Sequence, residues 1–208
     1  AIIEVMKIAC IGTGFVGVVT SAVFASFGHQ VVGLDIDQDK IDSLSQGKVP
    51  FFEPGLKELL ATTLETGNLS FTTSYQEAIA EAEVVLIMVG TPSAPDGQAD
   101  LKYVFKSGEM LAPHLSEGAI IVIKSTVPPG TNQKLKKVIQ QKTQTEFSLA
   151  SVPEFLKEGS AVKDTLHPAR ILIGANDEKT QQKLKKLHQP LTDNILLMKP
   201  ESAQMAKY

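Results

Sequence analysis

The chain has 208 residues, 43% hydrophobic and 21% charged, enough to bury a core without a metal or disulfide staple. Its formal net charge of -3 argues against the basic face that nucleic-acid binding requires. A single cysteine, Cys10, excludes an internal disulfide and a cysteine zinc site, and no metal is expected.

No run reaches the roughly 18 apolar residues of a membrane span. The apolar start Ala1–Val5 lacks the basic region and cleavage site of a secretory signal. A cytoplasmic chain with no membrane partner is expected. Arg170 is the lone arginine, and lysines such as Lys134, Lys136, Lys137, Lys183, Lys185 and Lys186 read as solvated helix faces.

Short runs rich in Val and Ile alternate with amphipathic segments. In chain order they are strand Lys7–Ile11, helix Phe15–Phe27, strand Val31–Asp35, helices Asp37–Gln46 and Leu56–Glu65, strand Leu69–Thr72 and helix Tyr75–Ala80. Strand Val84–Val89, helix Leu101–Pro113, strand Ala119–Ile123, helix Thr131–Gln141 and strand Phe147–Ser151 follow. This alternation predicts an α/β fold, a doubly wound parallel sheet of Rossmann-like type with helices on both faces.

Past residue 152 the texture changes. Pro153–Asp164 contains no clean strand; Arg170–Gly174 reads as a strand, Glu178–His188 as a helix and Asn194–Leu197 as a short strand. Pro200–Tyr208 starts a helix with no C-cap glycine or breaker, so the chain is expected to be cut from something longer. The expected division is a dinucleotide-binding domain over 1–198, with its core at about 6–152 and an extension over 153–198, then the start of a long connecting helix over 199–208.

Gly12-Thr13-Gly14-Phe15-Val16-Gly17 follows the first strand and opens a helix. Gly12 makes the tight turn, Gly14 lets the backbone approach a pyrophosphate, and Gly17 lets helix and strand pack closely. The helix N-terminus offers free N–H groups and a positive dipole end to phosphates. Asp35 ends the second strand 18 residues after Gly17. A carboxylate there accepts hydrogen bonds from ribose hydroxyls and repels a 2′-phosphate, favouring NAD over NADP. Asp37 is the better candidate to cap the next helix, and Lys40 is either beside the adenosine or simply a surface lysine. Gly90-Thr91-Pro92 and Ser125-Thr126-Val127-Pro128-Pro129-Gly130 follow later strands, at the carboxyl edge where a nicotinamide half would lie.

With Pro153-Glu154-Phe155-Leu156-Lys157-Glu158-Gly159 these features converge. The chain resembles the N-terminal part of the UDP-glucose/GDP-mannose dehydrogenase family. The matching stretches are MKIACIGTGFVG, VVGLDID, FFEPGL, VGTP, PDGQADL, KSTVPPGT, VPEFLKEGSAVKD, HPARILIG and the final AKY. The stretch Phe51–Leu56 leans toward the UDP-glucose 6-dehydrogenase branch.

The resemblance implies oxidation of a UDP-sugar C6 alcohol to a carboxylate in two NAD-dependent steps, UDP-glucose being favoured, by a protein that is a homodimer at full length. It implies NAD contacts from Gly12, Thr13, Gly14, Phe15, Val16, Gly17, Asp35, Lys40, Val89, Gly90, Thr91, Pro92, Ser93, Ser125, Thr126, Val127 and Glu158. It makes Glu154 an acid/base, Thr126 a positioner of catalytic water and Lys207 a stabiliser of oxyanions. Glu154, Phe155, Leu156, Lys157, Glu158 and Lys207 would touch the nucleotide sugar. Hydride removal from an alcohol needs a proton acceptor and a stabiliser of alkoxide charge, and the second oxidation passes through a cysteine thioester.

The chain departs from the family pattern at Val152, where Asn is common, and it contains neither the cysteine motif nor the second nucleotide-sugar domain. Cys10 reads as a buried structural thiol inside the first strand. Two alternatives stay open: a sister specificity for GDP-mannose or UDP-N-acetylmannosamine, or a stand-alone NAD-sensing module. A short-chain dehydrogenase would need Tyr-x-x-x-Lys, and Tyr103-Val104-Phe105-Lys106 is one residue too short.

Overall fold

The computed structural model describes residues 4–208; Ala1–Ile3, part of the apolar start considered above, lie outside the described residues. Among the described residues, eight strands form one sheet in the order β3-β2-β1-β4-β5-β6-β7-β8. The strands are β1 (Lys7–Ile11), β2 (Gln30–Leu34), β3 (Leu69–Thr72), β4 (Val84–Ile87), β5 (Ala119–Ile123), β6 (Phe147–Ser151), β7 (Ile171–Ala175) and β8 (Ile195–Met198). Every residue of β4 and β5 is buried, as a parallel sheet covered on both faces demands.

The strand period of two sorts the core into two layers. Ile8, Cys10, Leu86, Ile120 and Val122 pack under α1 (Phe15–Ser26), α3 (Leu56–Glu65), α7 (Ala161–Leu166) and α8 (Glu178–His188). Ala9, Ile11, Val85, Ile87, Ile121 and Ile123 pack under α4 (Tyr75–Ile79), α5 (Lys102–Leu111) and α6 (Thr131–Gln140). The remaining helices are α2 (Gln38–Ser45) and α9 (Pro200–Lys207), and a 3-10 turn at Ala112–His114 ends the α5 segment.

Two features differ from the sequence expectation. The sheet is not wholly parallel: β7 runs antiparallel to β6, touching it only through Ala150↔Ala175 and Ser151↔Gly174. The segment 152–170 stays near the carboxyl edge and contains only the six-residue α7, too short to carry the chain back across the sheet for a parallel return. That helix itself was not expected. Its amino end is held by Glu53, whose carboxylate accepts from the N–H groups of Gly159 (2.8 Å) and Ala161 (2.8 Å). A buried anion at a helix N-terminus stabilises a turn that local propensity would not form alone.

On the other face α9 lies against β7 at Gly174, where a Cβ would stand 2.7 Å from the Cα of Pro200 and 2.8 Å from the Cβ of Ala203. Gln204 plugs α9 into a buried polar knot. Its Oε1 accepts from Gly130 N–H (3.0 Å), and its amide donates to Ser151 Oγ (2.9 Å) and Asn132 Oδ1 (2.5 Å). The carboxyl ends of β1, β2, β4, β5 and β6 thus share one rim, held in place from both faces.

Candidate active site

The turn after β1 is sterically closed to anything but glycine at two of its three positions. Gly12 has φ +95, and a Cβ on it would lie 2.8 Å from the carbonyl oxygen of Met88. A Cβ on Gly17 would lie 1.8 Å from the carbonyl oxygen of Gly12, so α1 could not seat against β1. Gly14 differs: its missing Cβ points into open space, with nothing within 4 Å. It is also the N-cap of α1 and offers no side-chain cap, and the first intrahelical bond runs from Val18 N–H to Gly14. The N–H groups ahead of it point out of the helix end beside bare backbone, the cradle a pyrophosphate needs.

Asp35 stands one residue past β2. Its Oδ2 accepts from Thr13 N–H (2.9 Å), Thr13 Oγ1 (2.9 Å) and Lys40 Nζ (3.0 Å), and its Oδ1 accepts from Asp37 N–H (3.3 Å). Burial alone would raise its pKa, but the bonds from Thr13 and Lys40 outweigh it and hold the carboxyl below its ordinary value. Oδ2 is crowded by three donors while Oδ1 takes a single long bond, which leaves Oδ1 capacity for ribose hydroxyls. Asp37 caps α2 by accepting from Lys40 N–H (3.1 Å).

The loops after β4 and β5 are tied together. Thr91 Oγ1 donates to the carbonyl of Thr126 (2.9 Å), Ser125 Oγ donates to the carbonyl of Val89 (2.7 Å), and Val127 is buried beneath them. Pro92 and Ser93 belong to a small closed loop, in which Asp100 N–H bonds the Pro92 carbonyl (2.8 Å) and Ser93 bridges Ala99. Gly90 meets nothing within 4 Å of its would-be Cβ. This second wall of the rim is polar, braced and open.

Glu154 lies beyond the end of β6. Its Oε2 accepts from Leu156 N–H (2.9 Å), and its Oε1 faces Lys207 Nζ of α9 at 3.5 Å. Lys207 also lies 5.2 Å from the ring centre of Phe155, with the Arg170 guanidinium at 5.4 Å from the same ring. Lys157 and Glu158 are exposed, and Glu158 is hydrogen-bonded to none of the other candidates, so it stands apart from the cluster among the described residues.

Sequence reasoning passed over Lys124 and Glu53. Lys124 follows β5 on the α1 face, and burial lowers its pKa to about 8 against the pull of Glu154. A lysine directly after a fully apolar strand was the available signal. Glu53 belongs to the Phe51–Leu56 stretch, but its partners lie over 100 residues away and nothing local points to them. Cys10 is fully buried, and burial pushes its thiol up to about 12, with the nearby Ser21 hydroxyl and the charge of Lys124 only partly offsetting this. It is no nucleophile.

A glycine turn at a helix N-terminus, an acid at the end of β2 and a polar rim at the strand ends define a dinucleotide-binding domain. The chain belongs to the UDP-glucose/GDP-mannose dehydrogenase family, whose NAD binding domain matches residues 6–192. It is 43% identical to the UDP-glucose 6-dehydrogenase YwqF of Bacillus subtilis over 98% of this chain and 47% of that protein. It superposes on a UDP-glucose dehydrogenase from Pyrobaculum islandicum with a TM-score of 0.96 at 39% identity, covering 99% of this chain and 49% of that one. A GDP-mannose dehydrogenase from Pseudomonas aeruginosa gives 0.91 at 36%, covering 98% and 48%. The chain spans about half the length of the curated relatives it matches. Its domain is an NAD-binding one in an oxidoreductase family.

No helix among the described residues is long and apolar enough to cross a membrane. No group of three or more His, Cys, Asp or Glu among them could hold a metal.

Proposed function

We propose that this chain is the NAD-binding half of a nucleotide-sugar dehydrogenase that oxidises the C6 alcohol of UDP-glucose to a carboxylate in two NAD-dependent steps. The observation that carries the reading is the Glu154–Lys207 pair at 3.5 Å, on the same carboxyl rim as the glycine turn. NAD, when bound, supplies the hydride acceptor. The N–H groups at the start of α1 and the bare face of Gly14 hold the pyrophosphate, and Asp35 with Lys40 orients the adenosine ribose. The braced Val89–Ser93 and Ser125–Val127 loops line the nicotinamide end.

Glu154 accepts the alcohol proton, releases it to solvent, and as a carboxylate again draws a proton from the water that hydrolyses the thioester. Thr126 positions that water. Lys207 stabilises charge developing on the sugar oxygen. Phe155, Leu156, Lys157 and Glu158 touch the nucleotide sugar, and Glu158 also contacts NAD. The thioester needs a thiolate that buried Cys10 cannot supply, so the 208 residues alone bind NAD without turning over. In this reading 6–152 is the dinucleotide core, 153–198 its extension, and 199–208 the start of a helix leading to a substrate domain and a homodimer contact.

The likeness to a GDP-mannose dehydrogenase supports a second reading with another nucleotide sugar. One experiment decides between them. NADH formation by the full-length gene product is followed with UDP-glucose, GDP-mannose and UDP-N-acetylmannosamine, beside the 208-residue chain. We expect UDP-glucose to give the highest kcat/KM and the short chain to give none. Preference for another sugar overturns the specificity, and turnover by the short chain overturns the division of labour.

A further inference from the structure

A cavity of about 340 Å³ lies on the α1 face behind the Glu154–Lys157 stretch, lined by Phe24 of α1, His188 of α8 and the 165–171 segment. Two buried polar atoms at its wall have no hydrogen-bond partner among the described residues, Thr20 Oγ1 and His188 Nε2. His188 Nδ1 faces the Leu184 carbonyl at 2.8 Å, and a carbonyl only accepts, so Nδ1 carries the proton and Nε2 presents a bare lone pair. Lys124 lines the same cavity and so does Glu154. A donor-only ammonium, an acceptor-only ring nitrogen and a hydroxyl that does both, set among Phe24, Val152 and Leu191, form a surface that water satisfies.

Glu154 therefore sits between two cations that arrive from opposite faces of the sheet. Lys207 pairs with it from α9, and Lys124 stands behind it from the α1 face. We propose that Lys124 is a positioning residue for Glu154, acting from behind the carboxylate through water held in this cavity. The inference rests on the catalytic reading of Glu154 given above.

The titratable groups facing Lys124 are Cys10 on β1, His188 on α8, Lys207 on α9, and Glu154, Lys157, Asp164, His167 and Arg170 on the segment between β6 and β7. Cys10 titrates at about 12 and His188 at about 4, so neither changes charge near pH 8. Lys124, at about 8, does. Its charge holds Glu154 in place below that pH and is lost above it.

The test has two arms. In the full-length protein, kcat is measured across about pH 6 to 10 for the wild type, K124M and K124R. The wild type is expected to lose activity on an alkaline limb near pH 8. K124M loses roughly tenfold or more in kcat below the limb, where the wild-type lysine is charged, and converges with the wild type above it, with its NAD affinity unchanged. K124R recovers most of that loss and stays active through the alkaline limb, because a guanidinium keeps its charge. Should K124M fail to fold, the K124R limb decides: a limb still at the wild-type position overturns the proposal, as does wild-type kcat in a folded K124M.

The second arm needs no turnover. Lysine side-chain NMR of the 208-residue chain follows the Lys124 titration, whose midpoint should fall in E154Q and rise in K207M. An unmoved midpoint in E154Q overturns the proposal. A full-length wild type inactive on every nucleotide sugar would overturn the catalytic reading, and this proposal with it; activity with unaltered Lys124 variants would overturn this proposal alone.

Discussion

Gly14 and Gly17 stand three residues apart in one turn and should fail in opposite ways when each is replaced by alanine. A Cβ on Gly17 would sit 1.8 Å from the Gly12 carbonyl oxygen, against backbone that cannot swing aside. Either α1 lifts off β1 or the turn opens. Overpacking of this kind costs about 3 kcal/mol or more, which lowers Tm by about 6–12 °C in a domain of this size. Gly14 has φ -74 and ψ -167, which alanine adopts without strain, and nothing lies within 4 Å of the added methyl. Gly14→Ala should therefore leave Tm unchanged or raise it by about 1–4 °C, since alanine lowers the entropy of the unfolded chain. The same methyl occupies the approach to the N–H groups that receive the pyrophosphate. Losing one charge-assisted bond there costs about 1.5–3 kcal/mol, or roughly ten- to a hundredfold in Kd for NAD. Differential scanning calorimetry and NAD titration calorimetry on the two variants separate the effects. Wild-type NAD affinity in Gly14→Ala, or a wild-type Tm in Gly17→Ala, would refute the assignment of one glycine to ligand and the other to packing.

Gly174→Ala should drive α9 off β7 and cost about 1–3 kcal/mol, read as a lower midpoint in urea unfolding. Asp35→Ala should weaken NAD binding about tenfold or more while improving the ratio for NADP, measured by titrating both cofactors; equal losses for the two would contradict the ribose assignment. His188 supplies a pH dependence. Its pKa is lowered to about 4 by burial, with the charges of Lys124 and His29 adding to this. Between about pH 6.5 and 4 the unfolded chain therefore takes up a proton that the folded chain refuses. Stability should fall through that window by up to about 3 kcal/mol and level off below it, and His188→Gln should flatten the curve in urea titrations at stepped pH.

The central strand runs were legible because a parallel strand covered on both faces needs four or five consecutive Val, Ile, Leu or Ala, and Ala119–Ile123 is bounded in the fold as the sequence suggests. The glycine turn was legible because its constraints are local and steric. The reversed direction of β7 was not, since strand direction depends on where the preceding loop travels, not on the residues Ile171–Ala175. Nor was α7, whose amino end is satisfied by Glu53 from over 100 residues away. At the site, the matching stretches pointed to Glu154 and Lys207 separately. Their pairing depends on α9 packing over Gly174, which no local pattern states.

The strand order also bears on how a nascent chain builds this sheet. β2 joins the free side of β1, and β3 joins the free side of β2. β4 then takes the other flank of β1, and β5, β6, β7 and β8 each extend that flank by one. Synthesis proceeds at roughly 5–20 residues per second, so each strand leaves the ribosome seconds after the neighbour it pairs with. A growing chain never has to prise open a finished ladder to admit a later strand.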